Sequence, residues 1–454
     1  MNWGTINKVY LLGIGGIGMS ALARYFMSKG MPVFGYDRTP SPLTSSLITE
    51  GAHISFTDQE SAVNKVLNDP QTLYIYTPAI PQNNQILNLL KQKQKKLYKR
   101  SEILGFLSKE YQSIGIAGTH GKTTVTSITA HIMNTSHLGC QAFLGGISKN
   151  YQSNLITHPS SKWMVVEADE YDRSFLKLFP KIALITSMDA DHLDIYDTHQ
   201  NLIDTFKEFI SQIKDDGSCI INHRLRSHFD GNSHYLSYAL DDQEADFYAS
   251  DIKLIHHKYH FTFNHPHGKI HDMVLQMPGL INLENTIAAC STAIIAGAKE
   301  EEIRAAISTF KGIKRRMELI VSNDQTIYYD DYAHHPEEIN ASIKSLAAIY
   351  PNKKLTVVFQ PHLFSRTQDF AKEFARSLDL ADDIILLDIY PAREEPIEGI
   401  TSRSILELMT NKSHILLTKE ELISHLNNIK PQLLLTIGAG DIDRFVEPLK
   451  NNFE

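Results

Sequence analysis

Three times along this chain an apolar run with strand character stops in a loop rich in glycine, histidine or aspartate, and a helical pattern follows. The runs are 8–12, 113–117 and 326–331. Parallel strands impose this order, because each return to the same end of a sheet needs a crossover, usually a helix. The chain is therefore expected to be α/β, with its special loops beyond the carboxyl ends of strands, where open sheets bind ligands. Apolar and amphipathic runs alternate nearly throughout, without a short-period repeat or a low-complexity segment.

A chain of 454 residues has room for three domains of roughly 150 residues each, and three blocks are expected: 1–108, 109–318 and 319–454. In the first, a helix over 19–29 capped by Gly30 and strands at 32–36 and 73–76 follow the opening strand. The block then fades into Lys/Gln-rich sequence near 91–100. The second adds strands at 163–167 and 182–186 and a hairpin over 254–277 with its turn near 265–268. The third alternates helices from Pro336 and after Thr367 with strands at 355–359, 383–387 and 433–437.

Asp and Glu number 52 against 44 Lys and Arg, a formal net charge of −8. Such a chain is a poor nucleic-acid binder, which needs a basic face, although backbone donors can still hold a phosphate locally. No apolar run approaches the roughly 20 residues of a membrane span, and the first residues lack a signal-peptide layout. Cys140, Cys219 and Cys290 lie far apart, which excludes a disulfide framework and a cysteine zinc site. The expectation is a soluble, cytoplasmic protein, monomer or homodimer, without membrane insertion.

Gly13, Gly15 and Gly18, in the loop Gly13-Ile14-Gly15-Gly16-Ile17-Gly18, separate strand from helix as a diphosphate cradle requires. Asp37 ends the next strand, where a carboxylate can bind a ribose hydroxyl; the bland alternative is a glycine-rich turn without ligand. The loop Gly118-Thr119-His120-Gly121-Lys122-Thr123-Thr124 resembles a P-loop: backbone N–H groups cradle phosphates, Lys122 reaches the β- and γ-phosphates, and Thr123 ligates Mg²⁺. Ile116 stands where the strict pattern has its first glycine. Glu167, at a strand end, can hold the same metal, and His192 in Asp189-Ala190-Asp191-His192 follows another strand end; a solvated acidic turn is the alternative for Glu167. His334-His335 could suggest zinc, but adjacent histidines seldom face one ion. His362 and Arg366 follow a strand and could contact an anionic substrate, or belong to a surface loop. The six histidines from His256 to His271 are expected on a solvated face.

Taken together, GIGGIGMSALA at 13–23, GTHGKTT at 118–124, EADEYDRSF at 167–175, DADHLDIY at 189–196, KRR at 314–316, DDYAHHP at 330–336, QPHLFSRT at 360–367 and GAGDI at 438–442 resemble the Mur ligase family over essentially the whole chain. The DDYAHHP and QPHLFSRT pair narrows the likeness to the branch that adds L-alanine. The resemblance implies a Rossmann-like N-terminal domain, a P-loop ATPase-like central domain and a Rossmann-like C-terminal domain. It implies an ATP-dependent amide ligase joining L-alanine to the lactyl carboxylate of UDP-N-acetylmuramate through an acyl phosphate, with ATP and Mg²⁺, in peptidoglycan synthesis. Gly13, Ile14, Gly15, Gly16, Ile17, Gly18, Asp37, Thr77 and His362 would then hold the UDP sugar. Gly118, Thr119, His120, Gly121, Lys122, Thr123, Thr124, Asn282, Asn285, Arg316 and Asp331 would hold ATP. Thr123, Glu167 and His192 would hold metal, and Lys122, His192, His335 and Arg366 would be catalytic.

Some positions depart from the family pattern. Ile281 stands where a histidine often precedes Asn282, Leu363 where an arginine is common, and Ser55-Phe56-Thr57-Asp58 where a Gly-His pair often ends a strand. Thr205-Phe206 fits the absence of the carbamylated lysine found in sister enzymes. Two rivals remain at this level. A ligase that recycles a preformed tripeptide onto the same sugar shares most motifs. An NAD-dependent oxidoreductase built on the first loop would leave the GKT loop and Glu167 without a role.

Overall fold

The structure, a computed structural model, describes residues 3–190, 193–229, 235–392 and 394–454. They form two compact units. The first holds the described residues up to Ile252 together with Phe261–Val274 and Glu284–Lys311. The second holds Lys253–His260, Leu275–Leu283 and the described residues from Gly312 onward.

The first unit opens with a parallel five-stranded sheet of β1 (Lys8–Leu12), β2 (Val33–Tyr36), β3 (His53–Ser55), β4 (Thr72–Tyr76) and β5 (Leu97–Lys99), in the order β3-β2-β1-β4-β5. The order reverses between β1 and β4, so the loops after Leu12 and Tyr76 flank the crevice where such sheets take ligands. The Lys/Gln-rich stretch does not simply fade: it contains β5 and leads into the helix Arg100–Glu110. Lysine and glutamine are poor strand markers, yet edge strands use lysine to stay unpaired.

The same unit continues with β6 (Gln112–Ala117), β7 (Gln141–Ser148), β8 (Ser153–Ile156), β9 (Trp163–Glu167), β10 (Ile182–Ile185), β11 (Ser218–Asn222) and β12 (Tyr235–Tyr238), in the order β12-β11-β10-β6-β9-β7-β8. All neighbours are parallel except β7 and β8. One apolar cluster runs from Val9 and Leu11 through Ile103, Leu104 and Leu107 to Val166, Ile185, Phe206 and Phe209. Phe175 stacks on Phe209 with centroids 4.9 Å apart. Each such buried side chain contributes about 2–3 kcal/mol, so the two sheets share one core.

The expected hairpin is instead three strands, β13 (Tyr248–Ile255), β14 (Lys258–His265) and β15 (Gly268–Leu275), in that spatial order. The turn at 265–268 is where the sequence places it. The additional turn is made by His256 and His257 at φ 48° and 62°, with no glycine or asparagine to announce it. His265 also departs from the solvated face: it is buried, with Nε2 3.3 Å from Glu300.

The second unit is built on β16 (Glu318–Ser322), β17 (Ile327–Asp331), β18 (Leu355–Phe359), β19 (Asp383–Leu386), β20 (His414–Leu416) and β21 (Leu433–Ile437), ordered β16-β17-β21-β18-β19-β20. Only β16, an edge strand ahead of the strand expected to open this block, runs antiparallel to its neighbour. Apolar clusters cover both faces, as a parallel sheet requires. The helix expected after Thr367 begins earlier, at Phe364, and runs to Leu378. Its N-cap is Leu363 at φ 74°, a residue type that signals no helix start.

Candidate functional site

The loop after β1 is shaped by the main chain. Gly13 has φ 83° and donates its N–H to the Tyr36 carbonyl at 2.7 Å. A Cβ on Gly13 would collide with the Thr77 methyl at the end of β4, so the two crevice loops meet here. Ile14 is buried in the core, and its N–H also donates to the Tyr36 carbonyl, at 3.1 Å. Gly16 is the N-cap of the helix Ile17–Ser28, which has no side-chain cap and no acidic residue in its first turn. Such an end has free N–H groups and a positive dipole, and it fits an anion. Asp37 reaches the loop, but in this structure its carboxylate accepts from Gly15 N at 2.8 Å and from Thr39 N at 3.2 Å.

The second loop follows β6. The departure at Ile116 has a simple origin: Ile116 lies within β6, paired with Leu184 and Glu167, and the loop proper starts at Gly118 with φ 136°. Gly121, at φ 81°, caps the helix Lys122–Thr135. The residues after β10 staple the loop: His120 N donates to Ser187 Oγ at 2.8 Å, Thr119 N donates to Ser187 O at 3.1 Å, and Thr186 Oγ1 donates to His120 O at 2.5 Å. Asn285 packs against Gly121. Thr124 is buried in the first turn of the helix. Asn282 is buried and donates to Pro278 O at 2.7 Å.

Lys122 Nζ donates to Gly118 O at 2.6 Å and lies 2.8 Å from the Glu170 carboxylate. Burial by itself would lower the ammonium pKa, but the carboxylates of Glu170, Glu167 and Asp169 outweigh it and hold Lys122 above its ordinary value. The Glu170 carbonyl accepts from the buried Tyr196 hydroxyl at 2.5 Å. Thr123 Oγ1 stands 3.0 and 3.2 Å from the two Glu167 oxygens. A hydroxyl and a carboxylate at a strand end form a hard oxygen donor set, the kind Mg²⁺ takes. A Cβ on Gly145, in β7, would land on the Glu167 carboxylate. Sequence reading passed over Glu170 and Gly145. Glycine inside a strand marks a close approach, and Gly145-Gly146 carried that signal. His192 lies outside the described residues.

In the second unit, Asp331, Gly438 and Gln360 follow one another across the carboxyl ends of β17, β21 and β18. Gly438 N donates to Asp331 O at 3.1 Å, and Gln360 N donates to Ile437 O at 3.0 Å. Asp331 is buried, accepts from Met317 N at 3.3 Å and from the Ser342 hydroxyl, and is raised above the usual carboxylate range by burial. Arg316 lies over the Tyr332 ring, 5.1 Å from its centroid. Its neighbour Arg315 plugs into the sheet end, with Nε 3.3 Å from Asp330 and a bond to Gly438 O at 2.5 Å.

The adjacent histidines diverge. His334 Nδ1 contacts Tyr332 O at 3.0 Å, whereas His335 caps the helix Pro336–Ile349 and turns its ring to Phe370, 5.0 Å between centroids. Among the described residues neither joins a group of metal-ligating atoms. His334 and His362 are T-shaped neighbours at 6.2 Å, and His362 stacks on Tyr390 at 5.8 Å. Burial, then His334 and Arg366, push His362 down to about 4. Arg366 belongs to the first turn of the helix Phe364–Leu378, not to a loop.

Comparison with known proteins agrees with these loops. Family models match three stretches: the Mur ligase family catalytic domain over 8–112, the Mur ligase middle domain over 116–293, and the Mur ligase glutamate ligase domain over 315–440. A UDP-N-acetylmuramate–L-alanine ligase of Porphyromonas gingivalis is 46% identical over 453 residues, covering 98% of each chain. The chain belongs to the Mur ligase family. The Cytophaga hutchinsonii relative of the same name is 46% identical, over 99% of this chain and 97% of that one. Among solved structures, the Mur ligase fold is matched by a UDP-N-acetylmuramate-alanine ligase of Thermotoga maritima at TM-score 0.82 and 23% identity, covering 98% of this chain and 99% of that chain. A murein peptide ligase of Psychrobacter arcticus matches at TM-score 0.71 and 21% identity, covering 98% of each chain. Membership in a family of ligases sets aside the oxidoreductase reading of the first loop.

Proposed function

We propose that this chain joins the amino group of L-alanine to the lactyl carboxylate of UDP-N-acetylmuramate, driven by cleavage of ATP to ADP and phosphate, in peptidoglycan synthesis. One observation carries the reading: relatives 43–46% identical over nearly the whole chain share the alanine-ligase name. The meeting of Lys122, Thr123 and Glu167 beyond β6 and β9 supports it. The three blocks 1–108, 109–318 and 319–454 are assigned to the UDP sugar, ATP and amino acid respectively. Both nucleotides place the reaction in the cytoplasm.

A carboxylate is a poor electrophile. Transfer of the γ-phosphoryl group to a lactyl carboxylate oxygen releases ADP and leaves an acyl phosphate. The alanine amine then attacks the carbonyl carbon, and phosphate departs as the amide forms. Lys122 neutralises the charge of the transferring group, exchanging Glu170 for phosphate oxygens. Thr123 and Glu167 would hold Mg²⁺, which supplies further neutralisation when bound. His192 is assigned to a second ion by family likeness alone. Arg316 and Asp331 are assigned to ATP, and His362 and Arg366 to the other substrates.

The test is phosphate release with ATP, Mg²⁺ and UDP-N-acetylmuramate, with either L-alanine or the tripeptide added. Release with alanine is the expected result. Release with the tripeptide only would overturn the assignment in favour of the recycling ligase.

A further inference from the structure

Arg100 opens the helix that follows β5, and its guanidinium comes to rest on Gly18, in the first turn of the helix Ile17–Ser28: a Cβ at Gly18 would land on it. The third glycine of the loop is thus what admits this cation. A cation at a helix N-terminus is disfavoured by the dipole, and that first turn offers no acidic side chain to compensate. Among the described residues, the hydrogen bond Arg100 makes is a long one, from NH2 to Asp169 Oδ2 at 3.4 Å, against about 2.7–2.9 Å for a good charge-assisted pair. Its side chain retains 28% of its exposure. NH1 is the atom nearest that Cβ, so the guanidinium stands beside the first turn of the helix Ile17–Ser28, whose leading N–H groups have no acceptor within the helix.

Asp169 and Glu170 are consecutive. Asp169 holds Arg100 beside the first phosphate loop, and Glu170 holds Lys122 in the second. We propose that Arg100 is the cationic ligand of the first loop, as Lys122 is of the second. Its guanidinium takes oxygens of the UDP-sugar diphosphate, leaves Asp169 to do so, and relieves the unfavourable pairing of cation and helix N-terminus. This rests on the reading of the glycine loop as the UDP-sugar site.

Calorimetric titration of the full chain with UDP and with uridine separates the two levels. The unaltered protein is expected to bind UDP more tightly than uridine. Arg100→Met should weaken UDP by about tenfold or more, the worth of a hydrogen-bonded charge contact, and leave uridine unchanged. Arg100→Lys should recover part of the loss, and Asp169→Asn, which frees the guanidinium, should tighten UDP. Equal weakening of UDP and uridine in Arg100→Met, or no change in either, would overturn the role of Arg100 and leave the loop assignment standing. Should Arg100→Met fail to fold, unchanged or weaker UDP binding by Asp169→Asn would overturn it. If the unaltered protein shows no preference for UDP, the loop assignment fails and this inference with it.

Discussion

Lys122 has the Glu170 carboxylate as a counter-charge within bonding distance, and Glu170 is 1% exposed. Removing the lysine therefore does two separable things. Lys122→Met should abolish phosphate release. It should also destabilise the first unit by about 3 kcal/mol, because a buried charge loses its partner. Lys122→Met/Glu170→Gln should recover most of the stability and none of the activity. Denaturant unfolding checks the first outcome and the ligation assay the second. Gly145→Ala tests the opposite kind of constraint. Its methyl group must displace the Glu167 carboxylate, so the Mg²⁺ concentration for half-maximal activity should rise about tenfold, a loss of one oxygen contact, with little change in thermal midpoint. The glycines, Lys122 and Glu167 were legible because each residue type is demanded by a backbone angle or a charge. Glu170 was not, because its role depends on where Lys122 points, a three-dimensional fact.

The helix Ile17–Ser28 is held to β8 by a polar clamp. Asn154 is fully buried; its Nδ2 donates to Ile17 O at 2.5 Å and to Ser20 Oγ at 2.9 Å, and its Oδ1 accepts from Arg24. Arg24 closes the clamp with a bidentate pair to Glu50 at 2.7 and 2.8 Å. The clamp fixes the very end of the helix that is assigned to the diphosphate. Asn154→Ala leaves buried groups unsatisfied and should cost about 2 kcal/mol. It should raise KM for the UDP sugar more than KM for ATP; an equal rise in both would show general loosening instead. Nothing in Ser153-Asn154-Leu155 announces this partnership, since the clamp joins residues 130 or more positions apart. The elements themselves were read best where apolar periodicity was strong, as at β1, β6 and β21. They were missed where edge strands are short and polar, as at β5, or where a turn is built from histidines at positive φ, as between β13 and β14.

Each unit buries titratable groups of both signs, so acid acts group by group: in the first, burial lowers His131 and His265 and raises Glu170. His131, on the helix that bears Lys122, is buried between Tyr151 Oη at 2.9 Å and Thr309 Oγ1 at 3.1 Å, and burial pushes it down to about 4. The unfolded chain binds the proton first as pH falls. The stability contributed by neutral His131 is thus complete above about 6.5 and is lost as pH drops toward 4, about 3 kcal/mol over the whole window. In the second unit His362 pulls the same way, but Asp330 opposes it. Burial raises Asp330 to about 6 despite Arg315, so the folded state takes up that proton first and gains stability as pH falls below 6. Calorimetry between pH 7 and 4.5 should therefore show the stability of the first unit falling as His131 is forced to take up a proton. His131→Gln, whose amide can serve both hydroxyls and does not titrate, should flatten that fall. An equally steep acid response in His131→Gln would mean that other groups control it.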